Sequence, residues 1–118
     1  MREILFRGKR KDNGEWVEGM LAKDQKGNFR IQYDPYYFSV IVIPSTIGEF
    51  AVVYDNTGKS IFEGDIIVWI DPDGRERIDT VKWRSGGLVL CNDQYTVGSY
   101  TMNQIKVIGN VHDNPELL

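Results

Sequence analysis

Apolar and polar side chains alternate along most of this chain, with the two-residue period of half-buried β-strands. The alternation is clearest in three early runs, residues 3–9, 15–21 and 28–33. Asn13-Gly14 and residues 24–27 separate these runs with turn residues at hairpin spacing. No segment longer than about ten residues shows a helical period, so the pattern predicts an all-β protein.

Short apolar runs rich in β-branched side chains continue the pattern towards the end of the chain. They lie at residues 37–43, 50–54, 66–70, 78–83, 88–91 and 105–111. Between and after them, we expect a helical turn or a loop at residues 45–49, a loop at 92–104 and a tail at 112–118.

The most apolar run, residues 61–70 (IFEGDIIVWI), is the segment around which we expect the chain to fold. Residues 66–70 predict a strand that is buried on both faces, because β-branched residues and a Trp suit a covered, pleated surface. Gly64 fits a turn that needs a backbone angle other residues adopt only with strain. Asp65 can accept backbone N–H groups within the same turn.

The strand pattern changes character near the middle of the chain and suggests two regions. Residues 1–49 predict a β-meander. Residues 50–118 predict five strands that close a small SH3-like barrel, followed by the tail, since closure would cover apolar edges. A length of 118 residues suits one domain, so two small lobes and one compact unit both fit.

Composition narrows the classes of function. The net charge of −3 argues against a non-specific binder of duplex nucleic acid, which usually carries a basic surface. The single Cys91 has no partner for an intramolecular disulfide. The first residues lack the apolar core of a signal peptide, and no run approaches the roughly 20 apolar residues of a membrane span. We therefore expect a cytoplasmic protein.

Candidate catalytic and metal-binding groups are few. One histidine, His112, and one cysteine exclude a strong zinc site. Residues 71–76 begin like a calcium loop, but Arg75 occupies the fifth ligand position, so a hairpin turn is the better interpretation. Glu63 and Asp65 are spaced as a carboxylate pair, yet we expect Asp65 to hold the turn and Glu63 to face solvent. We predict a protein that is not an enzyme and that uses no metal and no cofactor.

Aromatic residues cluster around Asp34-Pro35 and allow two interpretations. They form a contact surface, or they are core residues whose tyrosine tips reach water. The cluster consists of Phe29, Tyr33, Tyr36, Tyr37 and Phe38, of which we take Tyr33, Tyr36 and Tyr37 as candidate binding residues. The three tryptophans Trp16, Trp69 and Trp83 fall on predicted strands and are expected in the core.

The only dense basic cluster lies at the end of the first predicted strand and just beyond it. It consists of Arg7, Lys9, Arg10 and Lys11. One interpretation is a solvated strand end. The other is a small patch that binds single-stranded nucleic acid together with aromatic side chains, as small β-barrels often do.

Three motifs, taken together and in order, resemble the YopX family of phage and prophage proteins. They are the opening residues 1–8 (MREILFRG), the central residues 58–67 (GKSIFEGDII) and the closing residues 107–117 (VIGNVHDNPEL). The resemblance spans the chain and implies a β-rich fold with a C-terminal SH3-like barrel. It implies no activity, because no biochemical role is established for the family.

We therefore expect a phage- or prophage-encoded, non-catalytic module that binds a protein partner or assembles with itself into a homo-oligomer. The alternative is an accessory factor that binds single-stranded nucleic acid.

Overall fold

A computed structural model describes residues 5–34, 38–71, 73–84, 87–90 and 105–118, and these residues are built from antiparallel strands without an α-helix. The strands are β1 (Phe6–Lys9), β2 (Trp16–Lys23), β3 (Phe29–Gln32), β4 (Ser39–Ile41), β5 (Gly48–Tyr54), β6 (Ser60–Phe62), β7 (Asp65–Ile70), β8 (Glu76–Arg84), β9 (Gly87–Leu90) and β10 (Ile105–Asn110). Short 3-10 helices occur at Pro44–Thr46 and Pro115–Leu117. The all-β prediction is confirmed.

The chain forms two compact units, unit 1 (Met1–Phe50) and unit 2 (Ala51–Leu118). No helix in the described part of either unit has the length and apolar character needed to cross a membrane.

In unit 1 the strand order is β4-β3-β2-β1, and the first residues of β5 pair with β1. Strand β2 changes partner at its middle, since its residues up to Gly19 pair with β1 and its residues from Met20 onward pair with β3. Gly19 permits this change, because a Cβ atom there would collide with the backbone carbonyl oxygen of Gln32. The β1-β2-β3 order is that of the meander predicted from the sequence, with a change of partner within its second strand.

The sheet of unit 1 curls until the end of β4 meets the end of β1. Ile43 donates its N–H to the carbonyl oxygen of Lys9 at 2.8 Å, and Lys11 donates to Ile41 at 2.9 Å. The inner face holds Ile31 and Val42, which are almost fully buried. The curl therefore encloses a small apolar core.

Unit 2 contains a four-stranded sheet in the order β10-β7-β8-β9, with β7 inside it. Ile66, Ile67 and Trp69 are fully buried, which confirms the strand and its covered Ile67–Trp69 face, whereas Val68 and Ile70 on the other face are only partly buried. Gly64 adopts a φ of +92°, and Asp65 Oδ2 accepts the N–H of Phe62 at 2.8 Å, as the turn chemistry predicted. Closure of unit 2 into an SH3-like barrel stays a prediction.

Three hairpin turns share one sequence motif, in which an aspartate is followed three residues later by a glycine. The aspartates are Asp24, Asp55 and Asp71. Each Oδ1 accepts the N–H groups of the second and fourth following residues at 2.9–3.0 Å. The glycines have φ between 80° and 86°, in the left-handed region that glycine adopts without strain. Residues 71–74 are thus the hairpin turn that the sequence predicted.

The second carboxylate oxygen distinguishes the three turns. In Asp24 and Asp71 it accepts the Nε–H of the arginine six residues later, at 3.0 Å from Arg30 and 2.7 Å from Arg77. In Asp55, which is only 4% exposed, it accepts the N–H of Val107 in β10 at 2.9 Å. The first two turns are therefore closed locally, whereas the third is joined to a strand 52 residues away.

These contacts govern the acidity of the turn carboxyls. The hydrogen bond from Arg30, together with backbone N–H groups, lowers the pKa of Asp24 from 3.8 to about 2. Burial alone would raise the pKa of Asp55, but the bonds from Val107, Thr57 and Lys59 together bring it below its ordinary value. All of these bonds favour the ionised form.

The C-terminal segment, predicted as a tail, is anchored to the end of β10. Asn114 donates its N–H to the carbonyl oxygen of Asn110 at 2.9 Å, and its Oδ1 accepts the N–H of Asn110 at 3.2 Å. Gly109 lies so close to the Asn114 side chain that a Cβ atom would collide with it. The first part of this segment thus has a fixed conformation.

Substitution Asp55→Ala should destabilise the protein by about 3 kcal/mol. It leaves the N–H of Val107 buried without its acceptor, which costs about 1–3 kcal/mol, and it removes further bonds to a charged group. Urea denaturation followed by far-UV circular dichroism measures the loss. Asp71→Ala is the matched control in the same turn geometry, and its smaller expected loss reflects an outer oxygen that binds a half-exposed arginine. Equal losses would contradict the importance of the Val107 bond.

Acid should weaken unit 1 through Asp24. Because the folded-state pKa of Asp24 lies near 2, below the ordinary 3.8, its stabilising effect is complete above pH 3.8 and disappears as the pH falls towards 2. Asp24→Asn should therefore lower stability at pH 7 and flatten the dependence on pH between 4 and 2, as measured by urea midpoints. An unchanged slope in that window would refute this assignment. Asp73→Asn, at an exposed carboxylate in another turn, serves as control.

Candidate interaction surface

The β3–β4 connection carries the most exposed aromatic residues in the described part of unit 1. Tyr33 is 46% exposed and Phe38 is 61% exposed. Tyr33 donates its N–H to the carbonyl oxygen of Phe38 at 3.2 Å, so the two residues lie opposite each other just beyond the strand pairs. We call these two residues the aromatic tip.

Strand alternation explains why the aromatic tip is apolar and yet exposed. Ile31 pairs with Val40, and alternation assigns Tyr33 and Phe38 to the same face of the sheet as this pair. Ile31 is fully buried, whereas the tip lies past the end of the core. The face that packs the interior thus continues into solvent at its last residues.

Asp34 holds the backbone beside the tip. Its Oδ1 accepts the N–H of Phe38 at 3.1 Å, and its carbonyl oxygen accepts the side-chain N–H of Gln32 at 3.2 Å. Tyr33, one of the predicted binding residues, therefore lies next to a residue whose hydrogen bonds reach Gln32 and Phe38. The other two, Tyr36 and Tyr37, lie outside the described residues.

The basic residues in and just after β1 do not form one cationic surface. Arg7, expected at a solvated strand end, is instead only 8% exposed, and its guanidinium carbon lies 4.8 Å from the centroid of the Trp16 ring. The ammonium group of Lys9 lies 5.5 Å from the same ring. Both contacts have the geometry of cation–π interactions. They form because Lys9 and Trp16 are cross-strand partners in the β1–β2 pair.

The remaining two cations of the cluster differ from each other. Arg10 donates from Nε and Nη2 to the two carboxylate oxygens of Asp12 at 2.9 and 2.8 Å. The hydrogen bond to Asp12 raises the pKa of Arg10, and the same bond lowers the pKa of Asp12. Lys11 is exposed. The four basic residues lie close together in the sequence, but their environments in the fold differ. Arg7 and Lys9 lie against Trp16, Arg10 is paired with Asp12, and Lys11 is exposed.

Other candidate groups have structural roles where the structure describes them. Asp65 is buried in its turn, and Glu63 is partly exposed. Within the described residues no group of three or more His, Cys, Asp or Glu side chains is arranged to hold a metal ion. His112 is exposed, and its backbone N–H donates to Asn110 Oδ1 at 3.0 Å. Cys91 lies outside the described residues.

The tryptophans confirm the core prediction in part. Trp69 is fully buried, and its indole N–H donates to Asp79 Oδ2 at 2.6 Å across the β7–β8 pair. Trp16 is half-buried beneath the Arg7 and Lys9 side chains rather than enclosed. The side chain of Trp83 lies outside the described residues.

Comparisons with known proteins agree with this fold. The crystal structure of protein EF1440 from Enterococcus faecalis is similar over 100% of this chain and 99% of that chain, with a TM-score of 0.62 and 24% sequence identity. That likeness shows the fold alone. No curated protein sequence matches the chain. The family model described as "YopX protein" matches residues 5–118, which is nearly the whole length. The chain therefore belongs to the YopX family.

Proposed function

We propose that this protein is a non-catalytic interaction module whose aromatic tip binds a protein partner or a second copy of the chain. The observation that carries the proposal is the exposure of Tyr33 and Phe38, on the sheet face that also carries the fully buried Ile31. Large apolar side chains in water gain about 1.5–3 kcal/mol each when a partner covers them completely.

The conformation of the tip supports the same proposal. Asp34 Oδ1 accepts the N–H of Phe38, and the Asp34 carbonyl oxygen accepts the side-chain N–H of Gln32, so hydrogen bonds hold the backbone at Asp34 and Phe38. Aromatic rings have only two side-chain torsions, and they are enriched among the residues that dominate binding energy at protein interfaces. A rigid backbone that presents such rings lowers the entropic cost of association.

The environments of the basic residues argue against single-stranded nucleic acid as the ligand. Arg7 is buried, and Arg10 is held in a two-bond pair with Asp12. A strand-binding groove needs cations that follow a phosphate backbone. No described feature favours that alternative, so we do not advance it.

Two finer statements belong to the proposal. The family resemblance supports a phage or prophage origin, whereas the cytoplasmic location expected from the sequence stays a prediction. The order β10-β7-β8-β9, with the turn after β5 bonded to β10, supports an SH3-like barrel in unit 2. Closure requires β9 to approach β5, so NMR spectra should show cross-strand contacts between these two strands. Their absence from an otherwise assigned spectrum would indicate an open sheet.

Replacing both tip residues, Tyr33→Ser and Phe38→Ser, should weaken association at least about tenfold. The melting temperature should change by less than about 3 °C, because exposed side chains contribute little to stability. Sedimentation velocity over a concentration series measures self-association, and pull-down from the native host measures partner binding.

The matched control is Tyr54→Ser, since Tyr54 is 45% exposed and Tyr33 is 46% exposed. This change in unit 2 should leave association unchanged. A wild-type protein that is monomeric at all concentrations and captures no partner would overturn the proposed function. A large loss of melting temperature in the tip variant would instead identify the tip as part of the core.

A further inference from the structure

A shallow depression of about 320 Å³ lies on unit 1 where the end of β1 meets β4, and its lining suits an aliphatic segment with a carboxylate. The lining residues are Lys11, Asp12, Arg30, Val40 and Ile41. Arg30 and Ile41 are cross-strand partners, and the N–H of Lys11 bonds to the carbonyl oxygen of Ile41. Backbone pairing therefore fixes the position of the lining.

Among the described residues that line the depression, Lys11 is the cation left to recognise a ligand. Asp12 is paired with Arg10 at 2.8 Å. The Nε of Arg30 is paired with Asp24 at 3.0 Å. These two pairs balance internally, whereas Lys11 is exposed and adds a positive charge beside Val40 and Ile41. A complementary ligand thus carries a negative charge next to a branched aliphatic side chain.

The chain itself carries a segment with this chemistry. In residues 115–118, Glu116 is exposed beside Leu117 and Leu118, which are 37% and 64% exposed. The 3-10 helix Pro115–Leu117 gives the segment a defined conformation, and the Asn110–Asn114 bonds anchor it. The segment therefore presents an acidic and an aliphatic side chain together, which is the chemistry that complements the depression.

We propose that the depression binds residues 115–118 of a second copy of the chain, with Glu116 paired to Lys11 and the leucines packed against Val40 and Ile41. The inference rests on the proposed function, because it names the second copy as a partner. It adds a contact separate from the aromatic tip. Reciprocal docking of two copies gives a closed two-fold dimer, in which each segment occupies the depression of the other copy.

Charge reversal tests the contact in the full-length protein. Lys11→Glu and Glu116→Lys should each weaken self-association about tenfold, because each puts like charges at the contact. An equimolar mixture of the two variants should associate as tightly as the wild type. In the mixture the reversed depression meets the reversed segment, and the unchanged depression meets the unchanged segment. Sedimentation velocity gives the dissociation constants.

Two further variants separate this contact from general effects of charge. Lys26→Glu makes the same charge change at an exposed site of unit 1 that does not line the depression, and association should stay at the wild-type value. Leu117→Asn should weaken association without altering charge. Circular dichroism melting checks that every variant is folded.

The outcomes separate the inference from the proposed function. Weakened variants with a restored mixture support the docking contact. If the wild type associates and neither reversal changes the dissociation constant, the docking inference is overturned while the function of the aromatic tip stands. A strictly monomeric wild type that captures another protein through the tip also overturns the inference, and it leaves the proposed function intact.

Discussion

The buried carboxylate of Asp55 is the interaction on which the arrangement of unit 2 depends. A desolvated charge must be satisfied by hydrogen bonds, and here the donors come from its own turn and from Val107 in β10. A local hairpin and the last strand are therefore fixed relative to each other by one side chain. The core around Ile66, Ile67 and Trp69 lies beneath strands positioned in this way.

The same turn occurs three times because it is self-contained. Within five residues, backbone N–H groups satisfy Oδ1 of the aspartate and the hairpin closes. What varies is the second oxygen. At Asp24 and Asp71 an arginine six residues later returns along the next strand to bind it. At Asp55 the sixth following residue is Ile61, which is fully buried, and the oxygen is left to accept from a distant strand. Asp71 is 5% exposed and Asp55 is 4% exposed, so these two turns differ in the partner of the second oxygen and not in the burial of the aspartate.

Several features of unit 2 could be predicted from short stretches of the sequence. Strand β7, the left-handed Gly64 and the bond made by Asp65 all follow from residue type and spacing. The separate strand β6 was missed because Ile61 and Phe62 continue the apolar run of β7 without a change of period. Anchoring of the tail was missed as well, since it depends on the close approach of Asn114 to Gly109.

The interaction surface was predictable only in part. Alternation carried past Gln32 identifies Tyr33 as a residue on the core face, but its exposure depends on where the opposing core ends. The burial of Arg7 depends on Trp16 in the neighbouring strand, a cross-strand relation that a linear charge count does not contain. The depression beside Lys11 brings together β1, β3 and β4, so no single segment signals it.

The curl of unit 1 has a consequence for how copies of the protein can meet. In the described part of this unit, β1 has β2 on one side, with β5 and then the end of β4 on the other. Strand β4 likewise lies between β3 and the end of β1. Main-chain groups of β1 and β4 that are already engaged in this way offer no template for cross-β growth. At these two strands a second copy of the protein would therefore meet side chains, whose chemistry can make contact specific and reversible, instead of a sheet edge that it could extend.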